Sequence, residues 1–556
     1  MTSLGQMLLQ EGKITALQLD RAETIRRSAP DRSMVEIFTG PGFLTRQELG
    51  QVLEIQLGIP YVDLEDRDIP AASASLLPPE LAKKHRMVPV FGDDRTLHLA
   101  MADPLDYRAT ETAAQAARRQ VMPMLAEPDA IDRVLSLLYG SASADRALEE
   151  LKTAPVLQEP SPEEADGDAD APVIRLVNGF LEYALEQGAS DIHFEPRQGD
   201  MAVRMRLDGQ LRQMFTLPRA NQNAVIARIK VMGTMDLAEH RLPLDGRCTI
   251  RLGGKEVDLR ISTLPTVHGE KAVIRLLHRS DSLLTPEGIG LRGENIATYY
   301  SLLENTNGVI LLVGPTGSGK SSTMYTMLGF LNREQVNLVT LEDPVEYRLD
   351  VINQVQINEK TGMTFASGLR AILRQDPDII ALGEIRDQET ADIAMRSAIT
   401  GHLVLSTLHT NDAPGAIDRL LDMGVEHYLI ASGLKGVISQ RLVRKICPHC
   451  RESYRPSAEE LNKLQLPDTP GRVFYRGRGC RRCFQTGYRG RTAVFEFLTV
   501  TPELRRAIAD GASRNRILAI SQQEGFRPLR LDCLELVEEG ITTAEEAILA
   551  IRSTQT

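Results

Sequence analysis

The stretch Gly314-Pro315-Thr316-Gly317-Ser318-Gly319-Lys320-Ser321-Ser322 limits what this chain can fold into more than any other. It matches the phosphate-loop pattern G-x-x-x-x-G-K-[ST], follows the apolar run Val309 to Val313, and precedes the helix-compatible Ser321 to Leu331. Glycines let backbone N–H groups converge on an anion, Lys320 can reach terminal phosphates, and Ser321 offers a hydroxyl to Mg2+ at a helix N-terminus. Strand, loop and helix in that order predict a nucleotide site.

The 556 residues suffice for three or four domains, and 42% hydrophobic with 25% charged residues is a globular composition. With no bilayer-length apolar run and no basic-then-apolar leader, a cytoplasmic location is expected. The net charge of -11 disfavours nucleic acid as a partner of the whole chain.

Residues 1–145 read as a helical and mixed N-terminal domain with an internal echo: Leu4-Gly5, Gly12, Ile14 and Leu19, then Gly42, Leu44, Leu49, Leu53 and Gln56. Residues 146–171 are an acidic linker, with Glu159, Glu163, Glu164, Asp166, Asp168 and Asp170 among prolines and little to bury. From 172 to 279 a helix-like Ile174 to Glu186 leads into alternating strands, including Met201 to Leu207 and a hairpin through Gly253-Gly254. This is an α+β domain with an antiparallel sheet. Residues 280–290 link it to a core at 291–446. There the apolar runs Val309 to Val313, Leu338 to Leu341, Ile379 to Leu382 and Leu403 to Leu405 alternate with helical segments. That alternation predicts a mostly parallel sheet with the ligand at the strand carboxyl ends. Residues 484–556 form a C-terminal strand and helical region, with Thr543 and Glu546 as a capping box.

Chemistry-bearing residues follow the runs: Glu342-Asp343-Pro344-Val345-Glu346, Gly383-Glu384-Ile385-Arg386-Asp387, and Ser406 to His409 after Gly401-His402. ATP hydrolysis needs a held Mg2+, an oriented water and positive charge on the transferred phosphoryl group. Any one of these residues alone is equally well a helix cap or a surface ion pair; together they describe a catalytic edge.

Cys447-Pro448-His449-Cys450 and Cys480-Arg481-Arg482-Cys483 form two C-x-x-C pairs 29 residues apart. Four soft ligands imply a closed tetrahedral Zn2+ that is structural, in an insertion spanning 447–483. Arg441 to Arg491 holds thirteen Lys/Arg against four acids, a local basic patch.

From about Pro172 to Leu498 the chain resembles the type II secretion and type IV pilus assembly ATPases. The phosphate loop, Leu341 to Glu346, Leu373 to Asp387 and Gly401 to Asp412 correspond to that family's Walker A, Asp box, Walker B and His box. The resemblance implies a RecA-like P-loop ATPase using ATP and Mg2+, with Glu346 as general base. Glu384, with Ser321, would support Mg2+, and His402 and His409 would sense or stabilise the nucleotide state. It implies arginines from the α+β domain reaching the phosphates, with Arg241, Arg247, Arg260 and Arg275 as candidates. It also implies a homo-hexamer that drives pseudopilus assembly through an inner-membrane platform protein and a membrane-anchored recruiting protein, with acidic phospholipids as further contacts. A pilus extension motor shares the chemistry, and a hexameric nucleic-acid translocase is the rival from another class. The N-terminal echo is similar to a duplicated motif that binds a cyclic dinucleotide in some members, but Ser3 replaces its first arginine.

Overall fold

The computed structural model describes residues 4–28, 32–40, 42–64, 69, 73, 76–93, 95–128, 130–132, 134–135, 172–252, 255–277, 285–346, 348–349, 351–467, 469 and 471–555. Ser3, the acidic linker 146–171, the Gly253-Gly254 turn and residues 280–284 of the 280–290 linker lie outside them. The chain divides into two compact units, Met1–Leu276 and Leu277–Thr556.

The first unit opens with four helices, Leu4–Gln10, Ala16–Ser28, Met34–Phe38 and Arg46–Leu57. The sequence echo is here a structural repeat: a helix, a left-handed glycine and a second helix, twice. Gly12 (φ 66°) and Gly42 (φ 85°) take the same place in each copy, a backbone state that glycine reaches without steric cost. Leu8, Phe38, Leu49 and Leu53 close the core between them. A three-stranded sheet follows, of strands β1 (Met87–Gly92), β2 (Thr96–Met101) and β3 (Gln120–Leu125), with the helix Tyr107–Ala117 between β2 and β3. Buried Arg46 ties helices to sheet by donating from Nη1 to the carbonyls of Ala102 (2.7 Å) and Ala126 (2.9 Å).

Residues 172–277 form a six-stranded sheet in the order β6-β5-β4-β9-β8-β7, with helices Pro172–Glu186 and Gln222–Met232. Its strands are β4 (Asp191–Pro196), β5 (Asp200–Leu207), β6 (Gln210–Pro218), β7 (Leu244–Leu252), β8 (Lys255–Thr266) and β9 (Gly269–Leu277). Period-two alternation buries Ile192, Phe194, Met205, Val257, Leu259, Ile261 and Ile274 on one face. Arg204, Arg206, Arg260, Lys271 and Arg275 occupy the alternate positions.

The second unit is built on seven strands in the order β12-β11-β13-β14-β10-β15-β18. They are β10 (Gly308–Val313), β11 (Leu338–Glu342), β12 (Asn353–Gln356), β13 (Ile379–Leu382), β14 (Leu403–Leu408), β15 (Leu434–Ile446) and β18 (Tyr488–Thr499). All neighbours are parallel except β15 and β18. Every residue of β10 is buried because helices cover both faces, so the strand reads as one continuous apolar run. The four expected strands are present, and β12, β15 and β18 complete the sheet. β18 returns to it from beyond the cysteine insertion, whose own short ladder is β16 (Arg451–Tyr454) with β17 (Phe474–Gly477).

The expected capping box at Thr543 is half made. Its hydroxyl accepts the Glu546 N–H at 3.2 Å, but the Glu546 carboxylate is taken by the backbone N–H and guanidinium of Arg444, at 2.9 and 2.6 Å. A full cation outcompetes a single amide for a part-buried carboxylate.

Asp532, in the helix Leu529–Glu538, is 4% exposed and accepts the Phe495 N–H at 2.8 Å and Asn295 Nδ2 at 3.3 Å. Burial pushes its carboxyl up to about 6, above the ordinary aspartate value. The folded protein therefore holds this proton where the unfolded chain has lost it. Its stabilisation is complete below about pH 4 and disappears as pH rises through 6, a change of up to about 3 kcal/mol. Asp532→Asn should flatten that part of the stability profile, as read from urea unfolding between pH 4 and 7.

Candidate nucleotide and metal sites

The phosphate loop leaves β10 at Val313 and enters the helix Lys320–Leu331, whose N-terminal amides face the loop. Gly314 has φ 147°, and a Cβ there would lie 2.5 Å from the Gln440 carbonyl oxygen, which is backbone and cannot yield. β15 therefore walls the loop at Gly314, where no side chain fits. Gln440 also accepts the Thr323 hydroxyl at 2.7 Å, fixing the first turn of the helix. Lys320 is buried, with Nζ on the carbonyls of Gly314 (2.7 Å) and Pro315 (3.1 Å). Burial lowers its ammonium to about 8, against the attraction of Glu384. Ser318 Oγ is buried without a hydrogen-bond partner among the described residues. A lysine short of counter-charge, an unpaired hydroxyl and a helix N-terminus form a donor set that fits nucleotide phosphates.

Glu384 follows β13 and is 19% exposed. Its Oε1 accepts Arg386 Nε at 2.5 Å, and its Oε2 lies 3.3 Å from His409 Nε2, just past the end of β14. Arg386 also reaches Asp343 at 3.4 Å, and Glu384 and Asp343 together hold its guanidinium above the usual arginine range. The turn is pinned by Gly383 N–H on the Leu341 carbonyl (2.8 Å) and Thr407 Oγ1 on the Gly383 carbonyl (2.8 Å). Glu346 lies half-buried beyond β11, its N–H donating to Tyr325 Oη at 3.3 Å. The structure thus brings Lys320, Glu384 and His409 to one edge of the sheet.

His402 is not with them. It precedes β14, its carbonyl accepts the Gly308 N–H at the start of β10, and its Nδ1 lies 2.9 Å from the Ser397 carbonyl. It therefore sits a full strand, about 20 Å, from the phosphate loop, at the amino edge of the sheet. Parallel strands send their two ends to opposite edges, and of the two histidines His409 is the one on the edge of the loop.

The four arginines lie in the first unit. Arg241 is 88% exposed and paired to Glu239, and Arg275 is held by Asp191 at 2.9 Å. Arg247 and Arg260 are directly opposed across β7 and β8, so two like charges share a face.

Sequence reading gave no role in the site to Gln440, Tyr325 or Arg441, and named Arg386 only within the segment Gly383 to Asp387. Arg441 is 5% exposed, with Nη2 on the Asn411 carbonyl at 2.8 Å and Nη1 unpartnered among the described residues. The signal available was the polar run Ser439-Gln440-Arg441 between the apolar pairs Val437-Ile438 and Leu442-Val443.

In the insertion, the Sγ atoms of Cys447, Cys450, Cys480 and Cys483 all lie within 4.8 Å of one another. Cys447 to Cys480 is 3.9 Å, Cys450 to Cys483 is 3.8 Å and Cys480 to Cys483 is 3.7 Å. Four sulfurs at 2.3 Å from a tetrahedral Zn2+ stand ~3.8 Å apart, so the cluster fits that ion. Burial opposes ionisation of Cys483, but the amides of Cys480 and Gly487, each 3.2 Å from its sulfur, help lower the thiol to about 6. His449 is engaged by Arg482 at 2.9 Å and stands outside the cluster.

Fold and site together define a RecA-like P-loop ATPase. The chain belongs to the family described as Type II/IV secretion system protein, which matches residues 166–549, and an MshEN domain matches residues 57–145. It is 42% identical to the type IV pilus assembly ATPase PilB of Thermus thermophilus over 98% of this chain, spanning 65% of that protein. It is 40% identical to the type II secretion system protein E of Pseudomonas aeruginosa over 88% of this chain and 99% of that protein. Among solved structures, the ATPase DotB of Yersinia pseudotuberculosis shares the fold, with TM-score 0.54 and 21% identity over 71% of this chain and 97% of that one. Among the described residues no helix is long and apolar enough to cross a membrane.

Cys480→Ser leaves three sulfurs and should reduce bound zinc well below one per chain by elemental analysis, with nucleotide affinity unchanged. Stoichiometric zinc in that variant would overturn the four-thiolate site.

Proposed function

We propose that this chain is the Mg-ATP-hydrolysing motor of type II protein secretion, driving pseudopilus assembly through an inner-membrane platform. The observation that carries the reading is the meeting of Lys320, Glu384 and His409 at one sheet edge, in a chain similar to secretion and pilus ATPases along most of its length. Lys320 neutralises the terminal phosphates, and the loop amides orient them. Ser321 and Glu384 are the ligands through which Mg2+ would be held, where it would neutralise charge on the β and γ oxygens. Glu346 takes the proton of the attacking water, and His409, backed by Glu384, reads the phosphate edge.

Arg241, Arg247, Arg260 and Arg275 are the candidates for positive charge delivered by the first unit. Arg247 and Arg260, directly opposed across β7 and β8, bring two of the four guanidiniums together. A homo-hexamer, a cytoplasmic location beside the inner membrane, a membrane-anchored recruiting protein and acidic phospholipids complete the reading. The cysteine cluster holds Zn2+ as a structural brace. The 42% identity to a pilus assembly ATPase supports a second reading, pilus extension, with the same chemistry.

ATP turnover should rise with vesicles containing acidic phospholipid and not with single-stranded DNA. Glu346→Gln should bind nucleotide normally and turn over roughly 10^2- to 10^4-fold more slowly, the usual range for a lost general base. Wild-type turnover in that variant would remove Glu346 from the mechanism, and stimulation by DNA alone would favour a translocase. Complementation of secretion-deficient and pilus-deficient strains separates the two motors.

A further inference from the structure

Tyr325 lies five residues past Lys320 on the helix that opens at the phosphate loop, and its side chain is 1% exposed. A buried phenol must place both its hydrogen and its lone pairs. The hydrogen goes to Glu342 Oε2 at 2.5 Å. With the donor thus committed, the phenol oxygen accepts the backbone N–H of Glu346 at 3.3 Å. Glu342 is the last residue of β11, is 4% exposed, and has its other oxygen filled by Thr340 Oγ1 (2.6 Å) and Gln354 Nε2 (3.1 Å). That carboxylate is therefore immobilised on three sides, and the direction of the Tyr325 hydroxyl is set by it.

From this geometry we infer that Tyr325 is a positioning residue for hydrolysis, holding the backbone of Glu346 at the distance from the phosphate loop at which its carboxylate can serve the attacking water. The inference rests on the assignment of Glu346 as base. It adds that this position is dictated by the loop's own helix: Lys320 and Tyr325 share one rigid element, so the group that grips the phosphates and the group that places the base move together. Asp343 is paired to Arg386.

The test is kinetic, on the full chain, at a temperature well below the melting transition of every variant. Tyr325→Phe keeps the ring and removes only the hydroxyl. It should lower kcat about 10- to 100-fold, the scale of a displacement of about 1 Å in a catalytic group, while the Kd for a fluorescent ATP analogue stays within twofold. In a Glu346→Gln background, Tyr325→Phe should change the residual rate less than twofold. Thr340→Val removes a different hydroxyl from the same carboxylate and leaves the Tyr325 link intact, so its kcat should stay within twofold of wild type even where its melting temperature falls.

A Tyr325→Phe protein turning over at the wild-type rate while Glu346→Gln is slow overturns this inference and leaves the base assignment standing. An equal loss in both Glu346 backgrounds, or a matching loss in Thr340→Val, also overturns it, since the hydroxyl would then act on packing. Wild-type turnover by Glu346→Gln overturns the assignment and this inference together.

Discussion

The parallel register of β10 with β14 and β15 is the constraint on which the site depends. Gly308 pairs with Leu403 and Val313 with both Leu408 and Ser439, so β10 and β14 end level while β15 runs on past them. The level ends put the phosphate loop beside His409 and, through β13, beside Glu384. The overrun of β15 puts the Gln440 carbonyl against Gly314 and the Gln440 amide against Thr323. The buried Val/Ile/Leu runs, packed by helices on both faces, hold the catalytic edge in place together with these polar contacts.

What was legible in the sequence was local. The phosphate loop carries its whole signal in nine consecutive residues, and the four buried strands announce themselves because parallel strands covered on both faces are apolar throughout. The cysteine pairs are read from their spacing, and the N-terminal echo from repeated leucines and glycines. What was not legible was set by pairing across long stretches of chain. Tyr325 looks like one more apolar-face residue of a helix until β11 brings Glu342 beside it. Gln440 gains its meaning from β10, some 130 residues earlier. The separation of the two histidines is of the same kind: His402 stands only seven residues before His409, but those residues are an extended strand, which puts its ends at opposite edges of the sheet. β18 was read as part of a separate C-terminal region because the insertion interrupts the sheet in sequence and not in space.

The buried charges of the second unit have a common pattern. Glu342 receives three side-chain donors at the end of β11. Glu496, on β18, is kept above the usual carboxylate range by burial. It accepts the Ala413 N–H at 2.7 Å and the Leu529 N–H at 3.0 Å, joining the loop after His409 to the start of a C-terminal helix. Arg441, on β15, holds the Asn411 carbonyl of that same loop and reaches Ser553 near the end of the chain. Each of these residues sits on a rigid strand and fixes a neighbouring turn.

Such groups are poor investments in stability alone, because taking a charge out of water costs several kcal/mol and an apolar residue of the same volume often does as well. Their value lies in direction. A leucine at Glu496 would fill space but leave the Ala413 amide without an acceptor and the loop after His409 free to choose among packings. A buried carboxylate with two amide donors admits one arrangement. The strands that flank the cysteine insertion, β15 and β18, are the two that supply Arg441 and Glu496, so the loop bearing His409 is held by elements whose far ends frame the Cys447, Cys450, Cys480 and Cys483 cluster.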